Sequence, residues 1–307
     1  METQTTAIKK KRRNRIRASA GERVGAAVNY IVIALLSLTF FLPFIYVLSL
    51  SLTTERAVGM YGITLFPREW TFESYIFIFQ RGQRILLAFR NTIFITVAGT
   101  VLSIFVTAGM AYPLSKKKLP FRNVFLKYVL FSMLFGGGLI PYYLVVSKFL
   151  GLKGNFLGML AVILPGAYSS WNMILMRNFF SALPDSLEEA ALIDGANELL
   201  VLFKIVLPLS MPIIATISLF NAVGFWNNWY GPLLFMSNDT PTIMLFLKEV
   251  VSSTASIGES ISPGAEAPPS ISVQMATVMV CTLPIIMIYP FLQKHFAKGV
   301  LIGSVKG

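Results

Sequence analysis

Four carboxylates crowd into one short stretch of the sequence: Glu188, Glu189, Asp194 and Glu198, with Asp185 just before them. Only 13% of the chain is charged, so this cluster is a local exception. Neighbouring carboxylates act as general acid and base, ligate metal ions, or form ion pairs. Acid–base work wants a closed pocket, which a loop between apolar runs does not offer, and the nitrogen and sulfur ligands of metal sites are scarce. The only histidine is His295 and the only cysteine is Cys281, which excludes multi-histidine and cysteine-ligated metal sites. His295 has no nucleophile beside it in the sequence, and no paired Asp or Ser/Lys dyad falls inside the apolar runs. No catalytic constellation forms, and charge contact is what remains.

The local pattern around these carboxylates describes a short helix. Ser186-x-x-Glu189 fits a capping box, in which the serine oxygen and the glutamate side chain satisfy each other's amides. Asp185 and Glu188 add negative charge where the helix dipole favours it. Gly195 stands where a left-handed stop is expected. The pattern predicts a helix over 187–194, a second one running toward Leu207, and re-entry into an apolar run marked by Pro208 and Pro212. A helix of about two turns is not stable alone in water. It packs either on its own bundle, as an ordinary acidic loop, or on a second protein that Ala190 and Ala191 allow to come close.

The elements that position this island are membrane spans. The chain is 55% hydrophobic, with a mean hydropathy of +0.69, so its solvent is a bilayer. A spanning helix takes roughly 20 apolar residues, and six runs qualify, at about 27–51, 91–114, 124–147, 157–180, 210–236 and 272–292. The first is too long for a signal-peptide core and no small-residue cleavage pattern follows it, so it reads as an uncleaved anchor.

Charge sets the orientation. The net charge is +12, but Lys9, Lys10, Lys11, Arg12, Arg13, Arg15, Arg17 and Arg23 all precede the first span. With the N-terminus inside, roughly 18 basic residues fall on the cytoplasmic side and roughly 8 outside. Both termini are therefore expected in the cytoplasm of a multi-pass protein of the cell membrane. The basic arm is read as a topology signal touching anionic lipid, with no nucleic-acid partner. The expected divisions are a cytoplasmic arm over 1–26, one membrane domain over 27–293 with the acidic loop at 181–208, and a cytoplasmic tail over 294–307. A turn-rich outside loop covers 262–270.

No G-x-x-x-x-G-K-[ST] phosphate loop is present, so the chain lacks the usual cradle for ATP. Gly136, Gly137 and Gly138 lie within an apolar run and serve either close helix packing, a local break, or an unwound turn lining a cavity. In the fifth span Asn221, Trp226, Asn227, Asn228, Trp229 and Tyr230 interrupt the apolar sequence, and Trp171 and Asn172 do the same in the fourth. Amides for hydroxyls and aromatic faces for C–H surfaces are what a sugar requires. The same residues also suit an interfacial aromatic belt and hydrogen bonds between helices.

The run from Glu189 through Ala190, Ala191, Asp194, Gly195 and Ala196, followed by Ile205 and Leu207-Pro208, closely resembles the EAA loop of ABC importer permeases. Its Asp-Gly-Ala form and its place before the penultimate span resemble the carbohydrate branch, specifically the second permease subunit of maltose-type systems. Residues 299–307 are similar to that branch's C-terminal tail. Phe135-Gly136-Gly137-Gly138-Leu139-Ile140-Pro141, together with Trp171-Asn172 and Arg177-Asn178-Phe179-Phe180, resembles a subgroup taking complex oligosaccharides, including alginate-type importers. One departure is an aromatic at Phe203, with Leu202 in its usual slot.

The resemblance implies an all-α integral membrane protein of the type I importer fold, with six spans and a cytoplasmic coupling helix. Glu188, Glu189, Ala190, Ala191, Asp194, Gly195, Ala196 and Pro208 would belong to the contact with an ATPase, and Gly303, Ser304 and Lys306 to a tail reaching the same partner unless that tail is simply solvated. The implied assembly holds a second homologous permease, two ATP-binding-cassette subunits carrying ATP and Mg, and an extracytoplasmic sugar-binding protein. The chain itself would bind no cofactor or metal and catalyse nothing. A permease for a non-sugar solute, or a secondary transporter or channel, are the alternative readings.

Overall fold

The computed structural model describes residues 19–80, 82–255 and 270–304. Most of the basic arm, nearly all of the 262–270 loop, and Lys306 lie outside the described residues. The described chain is helical, and its only extended pairings are isolated bridges at Thr53–Trp70 and Gly154–Met236.

Helix α1 (Ala20–Ser51) starts inside the expected arm, because Ser19 and Glu22 form a reciprocal capping box. Its side chains are exposed along most of its length, as suits a helix facing lipid or another subunit. Ser37 and Thr39 donate back to the carbonyls of Ile33 and Leu35, so neither hydroxyl is left unpaired on that apolar face. Short helices α2 (Glu55–Tyr61) and α3 (Glu73–Gln80) follow, and α4 (Gly82–Ser115) begins well before residue 91, where its span was expected.

Among the described residues, three helices are long and apolar enough to cross a membrane, or up to six if each of three bent pairs counts as one span. The third expected span is broken between α5 (Arg122–Leu134) and α6 (Leu139–Leu144), which bend by 107° before a π turn at Val145–Phe149. Gly138 sits there at φ +83°, and a Cβ on Gly136 or Gly137 would meet no atom within 4 Å. Gly138 supplies the left-handed residue at this break, and no other part of the described chain packs closely against Gly136 or Gly137.

The fourth span divides into α7 (Phe156–Gly166) and α8 (Ser170–Phe180), bent by 49° just after Pro165. Then come α9 (Asp185–Ile193), α10 (Glu198–Val201), a π turn at Leu202–Val206 and α11 (Leu207–Leu209). An 83° bend leads into α12 (Met211–Trp226), where Pro212 occupies the first turn and its missing N–H is no loss. The expected fifth span does not continue unbroken to 236, because the chain unwinds after Trp226 and restarts as α13 (Tyr230–Phe235). Helices α14 (Ile243–Ala255) and α15 (Ile271–Ser304) complete the fold. The backbone of α15 stays helical through most of the stretch expected as a tail.

Helix α4 packs on α8 and α12, while α15 packs on α1 and α12. Lipid tails are as apolar as leucine, so close fit and buried hydrogen bonds must supply the association. The closest fit is at Phe225. Its ring lies where a Cβ on Gly99 of α4 would come within 2.6 Å, and where one on Gly166 of α7 would come within 2.7 Å. Hemmed on two sides, the ring would have to shift for a Cβ at either position. Gly99→Ala or Gly166→Ala is therefore expected to destabilise the chain by about 1–3 kcal/mol. Thermal unfolding in detergent checks this, and Phe225→Leu in the same chain should recover part of the loss. An unshifted midpoint in Gly99→Ala would count against the two-sided slot.

Candidate functional site

Helix α9 does not begin as the capping-box pattern predicted. Pro184 is the cap residue at φ −63° and ψ 125°, no side chain caps the amides, and Ser186 falls within the first turn. The proline, with its φ already fixed, turns the chain into the helix two residues too early for Ser186 to serve as the cap. Asp185 and Glu188 lie in the first turn, where the dipole favours them.

The end of α9 follows the expected stop. Gly195 is at φ +85°. Its N–H donates to Leu192 at 3.1 Å, and the N–H of Ala196 donates to Ala191 at 3.0 Å. Those two bonds make a Schellman cap, which satisfies carbonyls that the helix end leaves open. Ala191 and Ala196 then pack together on the core that includes Tyr112, Phe180 and Val201. A side-chain cap that the pattern missed starts the next helix, where Asn197 Oδ1 accepts from Leu200 N at 2.8 Å.

The carboxylates of the island divide into two sets. Glu188 is buried, ion-paired with Lys116, and 3.3 Å from the Tyr112 hydroxyl. That hydroxyl donates to Glu198 at 2.6 Å. The Lys116 ammonium also lies 4.5 Å from the centre of the Tyr112 ring. Burial draws the Lys116 pKa below the ordinary lysine range, against the upward pull of the Glu198 and Asp185 carboxylates. Glu188, expected to face a partner, is thus engaged within its own chain. Glu189 and Asp194 remain exposed, as do Ala190, Gly195 and Pro208. Beside them Ile193 is 85% exposed, with Leu187, Leu192 and Leu199 also open to their surroundings.

The departure at positions 202 and 203 also resolves. Leu202 is buried in the core, and Phe203 turns outward to tilt against Phe105 of α4, 6.4 Å between ring centres. At the end of α4, Arg122 and Arg177 both donate to the Leu114 carbonyl, at 3.0 and 3.2 Å. Cations at a helix C-terminus meet the negative end of its dipole.

The amides and aromatics expected along a sugar path are not gathered into one lining. Asn172 Nδ2 donates to Asn221 Oδ1 at 3.0 Å, and Asn221 Nδ2 donates to Ser103 Oγ at 2.8 Å. All three are buried, so this ladder joins α8, α12 and α4 as hydrogen-bonded glue. Trp226 is buried too, and its indole N–H donates to the Cys281 carbonyl at 3.2 Å. Asn227 caps the end of α12, and Asn228 accepts from the Gly231 amide at 2.9 Å. The half-exposed pair Trp229 and Tyr230 meets edge to face at 5.4 Å, with the Lys248 ammonium 5.8 Å from the indole. Trp171 is exposed on α8, one residue before the buried amide. Sequence reasoning missed Tyr112 and Lys116, whose only signal was a tyrosine and a lysine spaced one helical turn apart at the end of a span.

Known proteins place this geometry. Protein LplC of Bacillus subtilis is 44% identical over 87% of this chain and 89% of its own length. The polygalacturonan/rhamnogalacturonan transport system permease protein YtcP of the same organism is 43% identical over 87% of this chain and 92% of its own. Among solved structures, a chain of a bacterial ABC transporter importing the acidic polysaccharide alginate superposes with a TM-score of 0.79. It is 30% identical, over 91% of this chain and 99% of that one. The family model described as binding-protein-dependent transport system inner membrane component matches residues 18–302. With its apolar helices, its broken spans and that match over nearly its full length, the chain belongs to the family of inner membrane components of binding-protein-dependent transport systems.

Proposed function

We propose that the chain is a permease subunit of an ATP-driven ABC importer carrying oligosaccharides released from complex polysaccharides. The carrying observation is α9: a short, capped helix held to the bundle by its buried edge, with Glu189, Asp194 and Ile193 presented outward. An exposed apolar side chain flanked by carboxylates is a docking surface for a basic-rimmed groove. The partner that fills it is an ATP-binding-cassette subunit, because this chain's sequence has no phosphate loop of its own. Both termini and α9 face the cytoplasm in this reading, which the excess of basic residues in the arm and in the turn after α4 supports.

The assembly is completed by a second homologous permease, two ATPase subunits holding ATP and Mg, and an extracytoplasmic binding protein, the last in keeping with the family's description. The last turn of α15, with Gly303 and Ser304, contributes a further contact with the ATPases. The cargo follows from relatives whose names specify polygalacturonan, rhamnogalacturonan and alginate. Of the residues expected along a sugar path, Trp229, Tyr230 and Trp171 are those that keep an aromatic ring exposed.

The test is a glycan panel applied to the binding protein encoded beside this chain, followed by uptake into vesicles holding the whole importer. Oligogalacturonides or related uronic-acid oligosaccharides are expected to bind and to enter only with ATP. Retention of a non-sugar solute alone, or uptake driven by an ion gradient without ATP, would overturn the reading.

A further inference from the structure

Helix α9 touches the bundle through few groups, and their chemistry is uneven. Ala191 and the neighbouring Ala196 offer small apolar contacts, which permit sliding. The polar contact is different in kind. Glu188 comes from α9 and Glu198 from α10, and both reach the same tyrosine of α4. Lys116, one turn further along, pairs with Glu188 and covers the ring of that tyrosine. The Tyr112 ring is itself buried and set edge-on to Phe180 of α8 at 6.5 Å, so its hydroxyl has little freedom to follow a moving carboxylate. Polar networks of this sort fix a single register where apolar contact does not.

Helix α4 is also the element that packs on both α8 and α12, and it carries Ser103, the foot of the buried amide ladder. A displacement applied to α9 and passed to Tyr112 would therefore be felt along α4 and, through Ser103, by Asn221 and Asn172. We propose that Tyr112 and Lys116 are positioning residues that make α9, α10 and α4 move as one body during transport. This rests on the reading of α9 as the docking helix. Both act through the carboxylates they hold, Glu188 and Glu198. Their work is to keep the applied motion from being lost as slippage between α9 and the spans.

The experiment uses the complete importer in lipid, with spin labels on Ser186→Cys of α9 and Val101→Cys of α4, both at exposed positions. The label distance is measured without nucleotide and after trapping with ATP and vanadate. With Tyr112 and Lys116 intact, the distance is expected to be the same in the two states. In Tyr112→Phe, which keeps the ring and removes the hydroxyl, the distance should shift and broaden on trapping, and solute moved per ATP should fall by about tenfold, as for a lost hydrogen bond to a charged group. Lys116→Met should behave likewise and Lys116→Arg should restore the fixed distance, so the outcome does not depend on one variant folding.

A distance that changes between states with both residues intact, or one that stays fixed in both Tyr112→Phe and Lys116→Met, overturns the inference while leaving the docking role of α9 standing. The docking role is tested separately, by whether a disrupted α9 still retains its ATPase. If it does, the inference falls with it.

Discussion

A Gly195→Pro variant is expected to lose nearly all ATP-driven uptake and to release its ATPase during purification. Proline fixes φ near −65°, whereas Gly195 needs φ +85°. Proline also removes the amide that donates to Leu192. Both bonds of the cap at the end of α9 then fail, and the corner that sets α9 against α10 opens. Gly195→Ala is the graded control. Space is not the obstacle, since a Cβ there meets no atom within 4 Å. Only the left-handed backbone is strained, by roughly 1–2 kcal/mol, so uptake should fall by about tenfold and the ATPase should stay bound. Wild-type uptake and full ATPase retention in Gly195→Pro would remove α9 from the docking contact.

The second large effect is expected at Gly158, and it concerns folding. A Cβ at this position would lie 2.5 Å from the Phe235 carbonyl oxygen and 2.9 Å from the Met236 Cα. These are backbone atoms, held in place because the same carbonyl accepts from the Gly154 amide at 2.9 Å. No rotamer change relieves the clash, so α7 and α13 must separate. Gly158→Ala should cost about 3 kcal/mol, the upper end for overpacking, and Gly158→Val should leave little folded protein. Yield of the monodisperse species on size exclusion, with its unfolding midpoint, measures both. A Gly158→Val protein with the wild-type yield and midpoint would show that the two helices have room to spare.

Much of the island was legible in the sequence because its signals are local. Gly195 marks its own stop, and the first-turn acids mark the start to within two residues. The exact start was not legible, since Ser186 and Pro184 both signal a helix beginning and only the folded chain decides between them. The partners of Glu188 were hidden for a different reason. Tyr112 and Lys116 lie far away in sequence, and nothing in a hydropathy pattern pairs one span's end with another's loop. The same holds for the buried amides. In sequence Asn221 and Asn172 suit a sugar and a bond between helices equally, and only the folded chain shows Asn172 donating to Asn221 and Asn221 to Ser103. Spans were visible as apolar runs, but their breaks were harder to read. Glycines at 136–138 have the same composition whether they pack or unwind, and only the folded backbone, bent there with Gly138 left-handed, shows the break.

The ring of Phe225 between Gly99 and Gly166 has a consequence for how this sequence is able to drift. Three positions on three separate helices share one volume, so enlarging either glycine alone carries a stability cost. The cost is smaller once the aromatic has shrunk, and the aromatic has little reason to shrink while both glycines remain. The trio is therefore a point where this chain's lineage is expected to change in company more readily than one residue at a time.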